Sequence, residues 1–213
     1  MNKVTEDLYR RHHQAGNREN FSYFEKQRSR ELIKLIGKGK KIIDLGCRDG
    51  TLTKYFTKGN EVFGVDIDQE LLTKCRNRLG IRTKHYDLNS PKWPFKKNYY
   101  DVVVAGEILE HLFNPEEVLK KIKSLLNSSG MLIGSVPNSF HILDRIGFVF
   151  GKTPRGYIDP THVNMFSVSS LRLLLSQHFS SVSIIPITVD KFLALTKILP
   201  SLFADDLFFM ARI

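Results

Sequence analysis

The chain has 213 residues, 42% hydrophobic and 25% charged, with 14 Gly, 8 Pro and a net charge of +10. These proportions fit one globular domain and exclude disordered, collagen-like and mucin-like chains. The two cysteines, Cys47 and Cys75, cannot build a disulfide framework, and no apolar run reaches the ~20 residues of a membrane span; a soluble, cytoplasmic protein without a signal peptide or transmembrane segment is expected.

The positive charge is concentrated at the start. Residues 1–41 hold 11 Lys/Arg against 5 Asp/Glu. Residues 1–40 are therefore read as an N-terminal basic helical segment, either a solvated surface or an arm for an acidic partner. Within it, Phe21 to Ile36 reads as one helix, stopped by Gly37 and Gly39.

Residues 41–213 are read as a single ligand-binding domain. Ile42 to Leu45 is a short buried strand, Thr51 to Phe56 a short helix, and Glu61 to Val65 a second strand. Gln69 to Leu79 is a helix closed by Gly80, and Arg82 to Tyr86 a third strand. Val102 to Ala105 is a continuous apolar run, as a strand buried on both faces requires. Pro115 to Leu126 carries the clearest helical signature: Asn114 as N-cap, Pro115 at the first position, Glu116 and Glu117 in the first turn, then one apolar face. Gly130 to Val136 is the next strand, Ser167 opens a helix through Gln177, and Ser181–Ile187 and Leu207–Ala211 are two late strands. Strands alternating with helices predict an α/β, Rossmann-like, doubly wound and mostly parallel seven-stranded sheet, with helices on both faces and an antiparallel last strand.

Residues 138–166 do not fit the alternation and are read as a lid insert. Phe140, Ile142, Leu143, Ile146, Phe148, Val149 and Phe150 make it apolar. Packing of that face on the sheet is the expectation; the other reading is a surface for a partly hydrophobic or lipid-linked acceptor.

Between the first strand and its helix stands Asp44-Leu45-Gly46-Cys47-Arg48-Asp49-Gly50. A tight glycine turn there lets a ligand approach the backbone. A dinucleotide fold would want glycine at 46, 48 and 51, but Arg48 and Thr51 stand at the last two. Asp66 ends the second strand, where a carboxylate can accept from both ribose hydroxyls. Asp87 and Leu88 follow the third, an acid and an apolar residue that suit an adenine, with Ile67 on the other side of the ring. All three loops fall on one edge of the sheet, the ligand edge of an open parallel fold.

These residues resemble the class I S-adenosylmethionine-dependent methyltransferases over about residues 30–213. Asp44 to Gly50 is similar to their first motif, Asp66 to their ribose acid and Asp87 to their adenine-side acid. Tyr100-Asp101-Val102-Val103-Val104 through Glu107-Ile108-Leu109-Glu110-His111-Leu112 resembles the fourth-strand motif, and Met131 to Asn138 the fifth. The likeness is nearest to the ubiquinone-biosynthesis O-methyltransferases, with MetW-like and glycan-associated features in Pro137-Asn138, Gly151-Lys152-Thr153-Pro154 and Thr161-His162. It implies S-adenosyl-L-methionine as cofactor, held by Asp44, Gly46, Cys47, Gly50, Asp66, Ile67, Asp87, Leu88 and Glu107. Family members commonly carry Gly where Arg48 stands, and an outward-pointing Arg48 side chain would leave the backbone path unchanged.

Glu107, Glu110 and His111 have spacings of three and four, so a helix starting near Glu107 would project all three from one face. His111 and Glu110 are the candidate catalytic residues, the imidazole taking a hydroxyl proton as the oxygen attacks the methyl group. Methyl transfer to a hydroxyl of a small-molecule, lipid-linked or glycan acceptor is the expected reaction. Two oxygens and an imidazole also suit a divalent metal, with His162 as a fourth ligand. That pattern resembles the small-RNA 2′-O-methyltransferases and supports, with the basic arm, an RNA alternative. A non-catalytic cofactor-binding partner protein is the other alternative, supported by Arg48 and the MetW-like features.

Overall fold

The computed structural model describes residues 3–15, 19–189 and 192–213. One sheet organises the chain. Its strands are β1 (Lys41–Leu45), β2 (Glu61–Asp66), β3 (Arg82–His85), β4 (Tyr100–Gly106), β5 (Leu126–Pro137), β6 (Ser181–Ile187) and β7 (Asp206–Arg212). They lie in the order β3-β2-β1-β4-β5-β7-β6. The first five are parallel, and β7 runs antiparallel to both β5 and β6. The seven-stranded, mostly parallel sheet is thus as the alternation predicts, with the antiparallel last strand inserted between β5 and β6.

Helices cover both faces. On one side, α2 (Glu25–Ile36) buries Leu32 and Ile36 against Ile42, Val62, Val104 and Phe208. On the other, α4 (Pro115–Leu125) and α6 (Val168–Ser176) pack Leu119, Ile122, Leu171 and Leu175 against Ile43, Val103 and Leu132. Helix α3 (Gln69–Leu79) buries Leu72 and Cys75 beside Cys47. Local chemistry sets the helix ends. Asp68 accepts from the backbone N–H groups of Glu70 and Leu71 at the start of α3, and Asn114 accepts from that of Glu117 at the start of α4. Such caps are worth about 1 kcal/mol each.

Several expectations change. The helix read from Phe21 begins only at Glu25, because Phe24 sits in the left-handed region at φ 53°. Thr51 to Phe56 forms only a 3-10 turn at Thr53–Tyr55. Residues 3–15 form α1 (Lys3–Ala15), which is folded against the domain rather than extended as an arm: the Tyr9 hydroxyl donates to the His111 carbonyl at 3.2 Å, and His12 pairs with Asp159 at 3.1 Å. The insert contains α5 (Ile142–Val149), whose one buried side chain is Asp144. Leu143, Ile146, Phe148, Val149 and Phe150 face outward, so the expected packing of this apolar face on the sheet does not occur. Two short helices, α7 (Leu193–Ile198) and α8 (Pro200–Phe203), fill the connection between β6 and β7. No helix among the described residues is long and apolar enough to cross a membrane.

Candidate active site

A cavity of about 890 Å³ opens at the C-terminal edge of the sheet. It spans the loops after β1, β2, β3, β4 and β5, and it includes the switch point between β1 and β4 where ligands of such sheets bind. The insert, α1, the segment around Phe21 to Phe24 and residues beside β6 and β7 supply further walls.

The β1 loop is shaped by backbone conformation. Gly46 has φ +80°, a left-handed backbone that strains any residue with a Cβ, and a Cβ there would also push aside the end of the Ile108 side chain. Arg48 is also left-handed, at φ 49°, an uncommon state for a residue with a side chain. Its N–H donates to Asp66 Oδ2 at 2.8 Å, while Asp68 N–H donates to Asp66 Oδ1 at 2.8 Å. Asp66 is buried, and these two bonds orient its carboxylate on the cavity wall. The Arg48 side chain does not point outward. Its Nη1 donates to the Phe21 carbonyl at 3.2 Å and ties the N-terminal segment to the loop.

Gly46, Cys47, Asp66, Ile67, Asp87, Leu88, Glu107, Glu110, His111 and His162 all line the cavity. Asp44 and Gly50 do not. Asp44 is buried below the loop, where Thr53 Oγ1 donates to it at 2.7 Å and burial pushes its pKa up to about 7. Gly50 faces α3, where a Cβ would meet Leu79 and Cys75. Both shape the loop from beneath rather than touching its contents.

Glu107 leaves the cluster predicted for it. At φ 55° it lies outside any helix, and the following 3-10 turn is Leu109–His111. Its carboxylate accepts from Ser135 Oγ at 2.9 Å and pairs with Arg28 at 2.8 Å. Arg28 also donates to Asp206 at 2.7 Å, a buried pair that joins α2, β4 and β7. Glu107, Glu110 and His111 therefore do not share a face.

Glu110, His111 and His162 do converge, with ligand-capable atoms all within 4.8 Å of one another. His111 Nδ1 lies 3.0 Å from the Thr161 carbonyl oxygen. A carbonyl only accepts, so Nδ1 carries the proton and Nε2 keeps its lone pair. Burial lowers the pKa of His111 to about 4, against the raising effect of Thr161. Glu110 is buried with neither carboxylate oxygen hydrogen-bonded, and burial together with Glu107 raises its pKa well above the usual carboxylate range. Burial alone would raise Asp159, but hydrogen bonds from His12 and Thr161 hold it well below its ordinary value. Tyr9 stands edge-on to His111 with ring centroids 5.6 Å apart. The sequence reading missed Tyr9, His12, Arg28 and Asp206. Nothing local marks them, because each is recruited from a distant element.

A profile of the methyltransferase domain matches residues 9–178. The chain belongs to the class I S-adenosylmethionine-dependent methyltransferases. Over 155 residues this methyltransferase is 28% identical to the ubiquinone biosynthesis O-methyltransferase of Coxiella burnetii, covering 64% of this chain and 65% of that one. The chain thus spans slightly under two-thirds of that relative's length. Among solved structures, an S-adenosylmethionine-dependent methyltransferase of Thermotoga maritima superposes with a TM-score of 0.69 at 14% identity, covering 100% of this chain and 99% of that one. Another from Archaeoglobus fulgidus gives 0.68 at 21%, covering 89% and 94%. At those identities the structures speak for the fold alone. The family's cofactor, S-adenosylmethionine, suits the residues present: the Gly46 cradle, the fixed Asp66 carboxylate and the Ile67–Leu88 pair all open on the same cavity.

Proposed function

We propose that the protein transfers a methyl group from S-adenosylmethionine to a hydroxyl of a small-molecule, lipid-linked or glycan acceptor, as a cytoplasmic enzyme. The bound cofactor supplies an electrophilic methyl group on a sulfonium. Asp66 binds the ribose hydroxyls, Asp87 accepts from the adenine amine, and Ile67 and Leu88 flank the ring. Cys47 and Glu107 complete the wall near the methionine end. The protein's task is then to hold an acceptor oxygen in line and keep water out.

The observation that carries this reading is the orientation of His111. With its proton pinned to Thr161, the imidazole offers Nε2 to the cavity as a hydrogen-bond acceptor for an acceptor hydroxyl. Glu110, beside it, has its pKa raised by burial, which favours the neutral form that can donate to the same acceptor. The ubiquinone O-methyltransferase relatives support a small acceptor, and α1 folded over the cavity removes the free arm on which the RNA reading leaned. Calorimetry with S-adenosylhomocysteine tests the cofactor site. Asp66→Ala is expected to weaken binding by about 1.5–3 kcal/mol, the scale of hydrogen bonds to a charged group. Unchanged affinity in a folded variant refutes the assignment.

A second reading has one observation in its favour. The convergence of Glu110, His111 and His162, with both Glu110 oxygens unpartnered, suits a divalent cation bound by those three residues without Glu107.

A further inference from the structure

We propose that the outer face of the 138–166 insert, together with α7, docks on an anionic lipid bilayer.

Helix α5 is built against the usual rule for a soluble protein. Its sequence is mostly apolar, yet its one buried side chain is an acid, Asp144. Phe148, Val149 and Phe150 are 68%, 80% and 77% exposed. Single exposed apolar residues are ordinary, but three consecutive ones of this size at a helix end are not. Helix α7 meets α5 at its start: the His141 ring, just before α5, is 5.7 Å from the Phe192 ring, just before α7. It adds Ile198 and Leu199, both exposed.

Charge selects the occupant. Asp144 and Asp159 are the only acids in the insert, and α7 and α8 have none. Both acids turn inward, Asp144 paired with Arg155 at 2.8 Å and Asp159 hydrogen-bonded by Thr161 at 2.6 Å beside His12 at 3.1 Å. Arg145, Lys152 and Lys197 stay exposed on the outside. Apolar side chains flanked by unopposed cations are what an anionic membrane surface attracts. Two copies meeting through this face in a symmetric dimer would oppose the same cations to one another. The insert's inner side lines the cavity, so a docked bilayer would lie next to the mouth of the site.

The test is flotation of the full chain with phosphatidylcholine vesicles, with and without one-third phosphatidylglycerol, at about 0.1 M salt. Strong binding to the anionic vesicles and at least about fivefold less to the neutral ones is expected. Phe148→Ser with Val149→Ser and Phe150→Ser should lower binding by about tenfold or more at an unchanged melting temperature. Arg145→Glu with Lys152→Glu should do so on anionic vesicles alone, and serves as the second variant should the first be unstable. No binding by the intact chain, or equal binding by both variants, overturns the proposal. A dimer in solution that the serine variant dissociates assigns the face to a second copy instead and also overturns it.

Discussion

His111 and Thr161 are 50 positions apart in sequence, yet the imidazole Nδ1–H donates to the Thr161 carbonyl at 3.0 Å. That bond fixes the tautomer and joins the β4 turn to the insert, so the candidate base is aligned only when the insert is in place. His111→Ala is expected to lower turnover by about 10²–10⁴-fold while S-adenosylhomocysteine affinity holds. Chelator treatment separates the two readings of the cluster. Activity that survives it supports the base. Activity lost with chelator and restored by a divalent cation, together with equal losses in Glu110→Ala and His162→Ala, supports the cation.

Arg28 holds Glu107 and Asp206 from one buried position. Removing it leaves the buried Asp206 carboxylate and the partly exposed Glu107 carboxylate without their shared cation. Arg28→Ala should therefore destabilise the fold by about 3–5 kcal/mol, read as a lowered urea midpoint. A loss under about 1 kcal/mol would mean that water replaces the guanidinium without cost.

Arg48→Gly is a test of what the side chain does. Glycine adopts φ 49° without strain, and the N–H to Asp66 remains. Cofactor affinity should stay within about threefold. The bond to the Phe21 carbonyl disappears, so amide exchange across residues 19–24 should accelerate. A loss of affinity above about tenfold would show that the guanidinium itself contacts the ligand.

Asp44 has a folded pKa of about 7 against 3.8 as a free side chain. A raised pKa means that the folded state binds the proton more tightly. Its relative stabilisation is complete below about pH 4 and is lost as pH rises through 7. Asp44→Asn keeps the shape and the hydrogen bond from Thr53 without the buried charge. It should raise the melting temperature at pH 8 by more than at pH 5 and flatten stability over that window. Equal shifts at both pH values would show that Asp44 stays ionised in the fold.

What the sequence determined by itself is the alternation and the ligand edge. Local signals suffice there: Asn114-Pro115 starts a helix, Val102 to Ala105 is the apolar run expected of a doubly buried strand, and Gly46, Asp66 and Asp87 follow successive strands. Every one of those features is fixed by residues within a few positions of one another. The tertiary structure alone decided the cluster chemistry. Spacing placed Glu107 with Glu110 and His111, but the left-handed turn at Glu107 hands its carboxylate to Arg28 from α2. Likewise Tyr9 meets His111, and His12 meets Asp159, only because α1 folds back over the sheet edge. Contacts between distant segments leave no periodicity in the chain. The outward face of α5 was misread for the same reason: an apolar pattern records what a segment avoids, and only packing shows whether the sheet is what covers it.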